Sequence, residues 1–358
     1  MADHPPARTP DAIGIGLVGA GAFGEFCLAA FAEMPDVRIA AVADTDFARA
    51  ERLAAPYQAT AYPSLDALLN DRQVQIVALN TPPFLHGAQG VAVLEAGRHL
   101  FCEKPLATSI ADAERLIDTA RQRQLQITVD YVMRFNPYWT AAAALAKSGV
   151  LGELRHMDLS NHANGLALPA SHWFWDEQKS GGIWVEHGVH FFDAFSWVSG
   201  QPGEAIGAAA YTRPDGSIDR VEGLFRYGDA AAHCYHAFDQ SGQTEQTTVR
   251  LTFRNGYITL PDWIPTALHL QTTIAREAWA TYLPNVIHVS SGADGQITAS
   301  SDLGLSKRTL YRMAIQDGMR QLIAAVSAAA PLVVTGQHGL QSLITAVAAS
   351  ELASHRPC

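Results

Sequence analysis

Residues 180–193, SGGIWVEHGVHFFD, combine two carboxylates and two histidines behind a pair of glycines. On an α-helix, Glu186 and His190 are four positions apart and therefore share one face. Such a pair can bind a metal ion or can handle protons in a reaction. A zinc site needs about four converging ligands, whereas His187 would lie about 100° round the helix and no cysteine is nearby. We therefore expect no metal here.

Lys104 is the second candidate, in the segment FCEKP directly after a predicted strand. A lysine that is partly desolvated and lies next to a positive charge has an ammonium group with a lowered pKa. Such a lysine can take a proton from a hydroxyl group while hydride leaves the same carbon. The alternative is a surface ion pair in a loop before a helix, and the position at a strand end favours the catalytic interpretation.

The elements that would position these residues begin with IGIGLV at residues 13–18, a β-type run followed by GAGAFG and a helical segment. The spacing Gly-x-Gly-x-x-Gly between a strand and a helix is typical of a dinucleotide-binding turn. The backbone there approaches the pyrophosphate, and the helix N-terminus supplies free N–H groups. The expected cradle consists of Gly19, Ala20, Gly21, Ala22, Phe23 and Gly24.

A second predicted strand, RIAAVAD, ends at Asp44, twenty residues after Gly24. An acid at this position accepts hydrogen bonds from the ribose hydroxyls of an adenosine and repels a 2′-phosphate. The first arginine that follows is Arg49, so the sequence favours NAD over NADP. Thr45 is included among the expected cofactor contacts. The alternative is that Asp44 merely caps the next helix.

Strands and helices continue to alternate through the first third of the chain, which predicts an α/β fold with a Rossmann-type, doubly wound parallel sheet. The second part carries hairpin signals instead, among them Asn255-Gly256 in TFRNGYITL. We predict a NAD-binding domain at residues 1–133 and an α+β domain with an open, mainly antiparallel sheet at 134–358. The last helices would pack back on the first domain or beside the sheet. Polar residues at predicted strand ends are Asn80, Thr81, Glu103, Lys104 and Arg134.

The segment NHANGLALPASHWFWDEQK places Trp173 and Trp175 in a polar loop near His162. Aromatic side chains of this kind can stack on the C–H faces of a polyhydroxylated ring, while polar neighbours bind its hydroxyl groups. The alternative, given equal weight, is that these aromatic residues seal the junction between the domains.

The bulk composition excludes several classes of partner. The 358 residues carry a formal net charge of −10 and no block of Lys or Arg, which argues against a nucleic-acid partner. No signal-peptide core or membrane-length apolar run is found, so we expect a cytoplasmic protein without a membrane partner. The four cysteines, Cys27, Cys102, Cys234 and Cys358, lack paired spacing, and neither a disulfide framework nor a cysteine-rich zinc site is expected.

Five motifs, GLVGAGAFG, NTPPFLH, CEKPLATSIADAERL, YVMRFNP and SGGIWVEHGVHFFD, occur in this order. Together they resemble the glucose–fructose oxidoreductase / inositol dehydrogenase (Gfo/Idh/MocA) family over nearly the whole chain. The resemblance implies that Lys104 is the catalytic lysine, that His190 helps to deprotonate the reacting hydroxyl, and that Glu186 holds a neighbouring hydroxyl. It also implies a homodimer or homotetramer formed through the second sheet. Cofactor contacts are expected from Asn80, Thr81, Pro82, His86, Glu103, Lys104 and Arg134.

Two positions depart from the family pattern. Glu186 replaces the usual aspartate, and Pro83 stands where asparagine is frequent. One extra methylene moves a carboxylate by about an ångström, a distance that matters for positioning a reacting group. The substrates of better-known relatives therefore need not be those of this chain.

The sequence thus predicts an NAD-dependent dehydrogenase or reductase that acts on a secondary hydroxyl of a sugar, inositol or related polyol, with Lys104 and His190 as the acid–base pair. Two alternatives stay open: an enzyme that modifies sugars or cleaves glycosides while recycling its NAD, and a non-catalytic sugar or dinucleotide sensor. The expected substrate contacts are Lys104, Arg134, His162, Trp173, Trp175, Glu186, His187 and His190.

Overall fold

The computed structural model describes residue 9 and residues 12–354, so the expectations for the first residues of the chain and for Cys358 lie outside it. Contacts divide the chain into two compact units. Unit 1 contains the residues up to 132 together with 312–340, and unit 2 contains residues 133–311 and those from 341 onward. Each unit is built round one β-sheet.

The sheet of unit 1 has six strands, all parallel, in the order β3-β2-β1-β4-β5-β6. This order is that of the dinucleotide-binding doubly wound fold, in which ligands bind beyond the strand ends where the order reverses, here between β1 and β4. β1 and β4 are buried along their whole length, as expected for strands covered on both faces. The strands are β1 (Ile13–Val18), β2 (Val37–Ala43), β3 (Thr60–Tyr62), β4 (Ile76–Leu79), β5 (His99–Cys102) and β6 (Ile127–Val129).

Three helices of unit 1 begin at a residue whose side chain accepts a hydrogen bond from a free backbone N–H. Ser109, for example, accepts a hydrogen bond from the N–H of Asp112 at 3.2 Å at the start of α5. Gln124 ends that helix in the left-handed conformation. The helices are α1 (Ala22–Ala32), α2 (Phe47–Ala54), α3 (Leu65–Leu69), α4 (His86–Glu95) and α5 (Ile110–Arg123).

The sheet of unit 2 has nine strands in the order β14-β15-β13-β12-β11-β7-β10-β9-β8. Neighbouring strands are antiparallel except for β7 and β10, which run parallel. The predicted hairpin is confirmed, because β11 and β12 pair directly through Phe253 and Gly256. The strands are β7 (Leu154–His162), β8 (Glu204–Thr212), β9 (Ile218–Tyr227), β10 (Ala230–Ala237), β11 (Gln246–Phe253), β12 (Gly256–Pro261), β13 (Ala267–Thr272), β14 (Val286–Ser291) and β15 (Ile297–Asp302).

The helices of unit 2 include α8, which packs aromatic residues against the sheet: the ring centroids of Phe192 and Phe225 are 4.8 Å apart. The helices are α6 (Pro137–Ser148), α7 (Glu177–Ser180), α8 (Val189–Ser199) and α9 (Arg276–Trp279). The predicted fold class is confirmed by the parallel sheet of unit 1 and the mainly antiparallel sheet of unit 2.

Two long C-terminal helices, α10 (Lys307–Ala328) and α11 (Gly336–Ser354), each contribute residues to both units. Within unit 1, Gln316 of α10 donates a hydrogen bond to the carbonyl oxygen of Ala30 at 2.9 Å, and Thr128 donates one to the carbonyl oxygen of Val334 at 2.9 Å. Among the residues that the structure describes, no helix combines the length and apolar character needed to cross a bilayer.

Candidate active site

The turn after β1 has the geometry that a pyrophosphate cradle requires. Gly19 has φ +97°, in the left-handed region, and a Cβ there would lie 2.6 Å from the carbonyl oxygen of Asn80. A Cβ at Gly24 would lie 2.0 Å from the carbonyl oxygen of Gly19, so only glycine lets α1 approach the strand this closely. Gly21 has open space around it, which leaves the N-terminus of α1 accessible to a phosphate group.

Asp44 lies next to this turn. Its carboxylate accepts hydrogen bonds from the N–H of Ala20 and the N–H of Asp46, both at 2.8 Å. Asp46, and not Asp44, caps α2 by accepting from the N–H of Arg49 at 3.2 Å. Arg49 also lies 3.9 Å from Asp44. The residues of the turn and Asp44 therefore fit the phosphate and ribose groups of a dinucleotide.

His86 connects the loops that follow β4 and β5. Its ring is buried, with Nδ1 2.7 Å from the carbonyl oxygen of Pro105 and Nε2 2.8 Å from that of Thr81. The hydroxyl of Thr81 donates to Gln89 at 2.7 Å, and the amide of Asn80 donates to Cys27 at 3.4 Å. These contacts hold in place the two loops that carry the predicted cofactor and lysine residues.

Lys104 follows β5 and is 9% exposed. Its Nζ lies 4.0 Å from Oε1 of Glu103, and the peptide bond to Pro105 is cis. Asp130, at the end of the neighbouring strand β6, is 1% exposed. Burial raises the pKa of the Asp130 carboxyl to about 7, although the neighbouring Glu103 and the charge of Lys104 both lower it.

Sequence analysis missed Asp130, although a signal was present. The residue follows an apolar strand in the same way that Glu103 follows β5, so the rule that selected the other strand-end residues applies to it as well.

The segment that carries Glu186 and His190 differs from the uniform α-helix predicted for it. Residues Trp184–Gly188 form a π-helix, and α8 begins only at Val189. The wider turn of a π-helix changes which side chains share a face, and such turns are frequent at functional sites. The rings of His187 and His190 are 5.4 Å apart, so the two histidines lie side by side in the structure.

An aromatic group surrounds these histidines. The ring of Trp263, which follows β12, lies 5.4 Å from that of His190 and 5.7 Å from that of His187. Tyr311 lies 5.2 Å from the Trp263 ring, and the Lys307 ammonium group 5.6 Å from it. Sequence analysis missed Trp263, because it lies on a loop distant in sequence from α8.

Arg134 is bound by Asp193, the last residue of the segment SGGIWVEHGVHFFD. Its Nε and Nη2 each donate a hydrogen bond of 2.8 Å to the carboxylate of Asp193, and both residues are buried. Burial raises the pKa of Asp193, and the charge of Arg134 opposes this effect. Within unit 2, the pair connects the segment that carries Arg134 to α8, and Asp193 lies three residues after His190. Contact of Arg134 with a cofactor or substrate stays a prediction.

Trp173 and Trp175 line a cavity of about 350 Å³ together with His172, Lys179 and Asp215. Glu186, His187 and His190 are not among its lining residues. Phe174, between the two tryptophans, instead packs on Phe238 at 4.5 Å, and Phe238 lies 5.5 Å from His187.

His162 lies 5.2 Å from the ring of Tyr235 and 4.0 Å from Asp239. Substrate contacts from the two tryptophans and from His162 stay predictions. No group of three or more His, Cys, Asp or Glu within the described part of the chain has an arrangement suited to a metal ion.

Comparison with protein families assigns most of the chain. Residues 13–131 match the model described as oxidoreductase family, NAD-binding Rossmann fold (GFO_IDH_MocA), and residues 139–259 match the GFO/IDH/MocA C-terminal domain.

Three curated relatives illustrate the sequence similarity. An uncharacterized oxidoreductase of Synechocystis is 32% identical over 49% of this chain and 49% of its own length. The dTDP-3,4-didehydro-2,6-dideoxy-alpha-D-glucose 3-reductase of Saccharopolyspora spinosa is 28% identical over 63% of this chain and 68% of its own. The 2,7-anhydro-N-acetylneuraminate hydratase of Escherichia coli is 31% identical over 54% of this chain and 51% of its own length. The chain thus spans from about half to two thirds of these relatives.

Among solved structures, a levoglucosan dehydrogenase in complex with NADH and levoglucosan superimposes with a TM-score of 0.81. The superposition covers 96% of this chain and 97% of the levoglucosan dehydrogenase chain, and the two sequences are 19% identical. At this identity the similarity shows a common fold.

Proposed function

Because the chain belongs to the GFO/IDH/MocA family of oxidoreductases, which has an NAD-binding Rossmann fold, we propose that it is an NAD-dependent dehydrogenase or reductase acting on a secondary hydroxyl of a sugar, inositol or related polyol. The observation that carries the proposal is the buried Lys104 at the end of β5, in the same sheet as the glycine turn. Lysine is rarely buried to this extent without a functional or structural partner.

The cofactor assignment rests on the turn after β1 and on Asp44. The open N-terminus of α1 would bind the pyrophosphate, and the Asp44 carboxylate would accept hydrogen bonds from the adenosine ribose. Because that carboxylate would repel a 2′-phosphate, NADP is the less suitable cofactor.

The acid–base assignment gives separate tasks to three residues. When bound, NAD supplies the hydride acceptor. Lys104 takes the proton of the reacting hydroxyl in the oxidising direction and returns it in the reducing direction. His190 binds the oxygen of that hydroxyl and aligns it, while Glu186 accepts a hydrogen bond from a neighbouring hydroxyl. The names of the dTDP-sugar reductase and the levoglucosan dehydrogenase support a carbohydrate substrate.

The direct test is a panel of sugars, inositols and their keto derivatives with purified protein, in which the absorbance of NADH is followed. We expect at least one compound to change the absorbance of NADH. Lys104→Met and His190→Ala should be inactive. Lys147→Met should be as active as the parent protein, because Lys147 is an exposed residue of α6. A Lys104→Met variant as active as the parent protein would refute the proposed role of the lysine.

A second candidate reaction recycles the cofactor within each turnover, and one relative, named a hydratase of an anhydro sugar acid, favours considering it. In that case NAD would co-purify with the protein. Product would then form without added NAD and without net NADH.

We also propose that the protein forms a homodimer or homotetramer through its second sheet. Ile206 on β8 and Leu224 on β9 are 51% and 56% exposed, and Ile287 on β14 is 59% exposed. The exposed apolar side chains on the neighbouring strands β8 and β9 support an interface at that edge of the sheet. Light scattering on the purified protein measures the oligomeric state. The domain division at 133/134 and the cytoplasmic location stay predictions.

A further inference from the structure

We propose that Asp130 is a positioning residue that acts through Lys104. The buried carboxyl group of Asp130 and the carboxyl group of Glu103 form a pair beside the lysine. The charge of this pair controls how readily Lys104 holds a proton. The relevance to catalysis rests on the proposed function, whereas the contacts themselves all lie within unit 1.

The strand register brings the residues of this cluster together. β5 and β6 are parallel neighbours in which Cys102 lies opposite Val129. Glu103 and Asp130 are the next residues on the two strands, and the N–H of Asp130 donates to the carbonyl oxygen of Cys102 at 2.8 Å. Two carboxyl groups therefore leave the sheet at the same level, beside the lysine.

Two buried thiols lie close enough to these carboxyl groups to be affected by their charge. Burial is the main cause that raises the pKa of Cys27, on α1, and of Cys102, on β5. The charges of Asp130 and Glu103 raise both values further. Neutral thiols supply no counter-charge. Of the titratable groups described round Asp130, which are Glu103, Lys104, Cys27 and Cys102, the lysine is therefore the cation that can balance it.

Burial sets the pH at which the Asp130 carboxyl group becomes charged. Its pKa of about 7 means that Asp130 loses its proton near neutral pH. Above this pH its carboxylate favours the ammonium form of Lys104, and below this pH the neutral acid no longer does. The two groups therefore titrate as a coupled pair. In the oxidising direction, the proton of the hydroxyl moves to Nζ, and the new positive charge forms beside the carboxylate.

The lysine content allows a direct test without substrate or cofactor. The chain contains four lysines, Lys104, Lys147, Lys179 and Lys307. Protein labelled with ¹³C-lysine thus gives four side-chain CH₂ signals next to the ammonium groups, and Lys104→Arg identifies the signal of Lys104. We expect that signal to titrate in two steps, a small one near pH 7 as Asp130 ionises and a main one as Lys104 itself loses its proton.

In Asp130→Asn the step near pH 7 should disappear, and the main midpoint should fall by about one pH unit because a neighbouring negative charge is lost. Asp118→Asn, at an exposed residue of α5, should leave both steps unchanged. The inference is overturned if folded Asp130→Asn, as judged by the other three signals, keeps both steps. If that variant does not fold, a single step in the parent protein overturns it. A failure of the polyol panel would leave this measurement unaffected.

Discussion

Removing the carboxylate of Asp193 should destabilise unit 2 strongly, because it would leave the guanidinium of Arg134 buried without its partner. The two side chains are 1% and 7% exposed and are joined by two parallel hydrogen bonds of 2.8 Å. Arginine and carboxylate form their strongest contact in this two-pronged arrangement. We therefore choose Asp193→Leu, which removes the charge and approximately keeps the volume.

The magnitude follows from the burial of the pair. Breaking a buried ion pair by removing one partner costs about 3–5 kcal/mol, mostly because the remaining charge stays in a poorly solvated site. At roughly 2–4 °C per kcal/mol for a unit of this size, the Tm should fall by about 6–20 °C. The exposed pair of Arg226 and Glu204, at 58% and 59% exposure, is the matched control. Glu204→Leu should cost no more than about 1 kcal/mol.

The contribution of the Arg134–Asp193 pair is tested by calorimetric Tm values of the single variants and of the double variant Arg134→Met/Asp193→Leu. Since the double variant leaves no buried charge, it should recover at least half of the loss caused by Asp193→Leu. Two results would refute the reasoning. One is an Asp193→Leu variant no less stable than Glu204→Leu, and the other is a double variant less stable than either single one.

Two further predictions concern the cofactor. Asp44→Ser removes the carboxylate that would repel a 2′-phosphate, and Arg49, which lies 3.9 Å from Asp44, could then attract one. The ratio of the Kd for NADP to the Kd for NAD, measured by calorimetric titration, should therefore fall by about tenfold or more, which corresponds to about 1.4 kcal/mol. An unchanged ratio would contradict the assignment of Asp44. Gly21→Ala should weaken NAD binding without lowering the Tm of the cofactor-free protein, because its Cβ enters open space, whereas Gly24→Ala should lower both, because its Cβ would lie 2.0 Å from a carbonyl oxygen. Equal losses of Tm in these two variants would show that the turn is built differently.

Local rules predicted the parts of the fold that depend on few residues. The turn from Gly19 to Gly24 and the Asn255-Gly256 hairpin were predictable because the conformations they need are available to few residue types. The alternation of strands and helices likewise predicted the sheet of unit 1.

The remaining features depend on packing between distant segments. Whether residues 184–188 form an α- or a π-helix is decided by the fit of buried side chains such as Trp184, which packs against Phe225 of β9 at 5.7 Å. Trp263 reaches the histidines from a loop after β12, and the pKa of Asp130 depends on burial beside α1 and β5. No local pattern contains this information.

In the proposed mechanism, Lys104 takes or returns the proton of the hydroxyl while hydride passes between NAD and a carbinol carbon. The most direct test uses polyols deuterated at their carbinol carbons in a rapidly quenched single turnover, with mass spectrometry of the cofactor. We predict NADH that carries deuterium with the parent protein and with Lys147→Met, and none with Lys104→Met. Deuterium transfer by Lys104→Met at the rate of the parent protein, or a parent protein that binds NAD but transfers no deuterium from any member of the panel, would contradict the account.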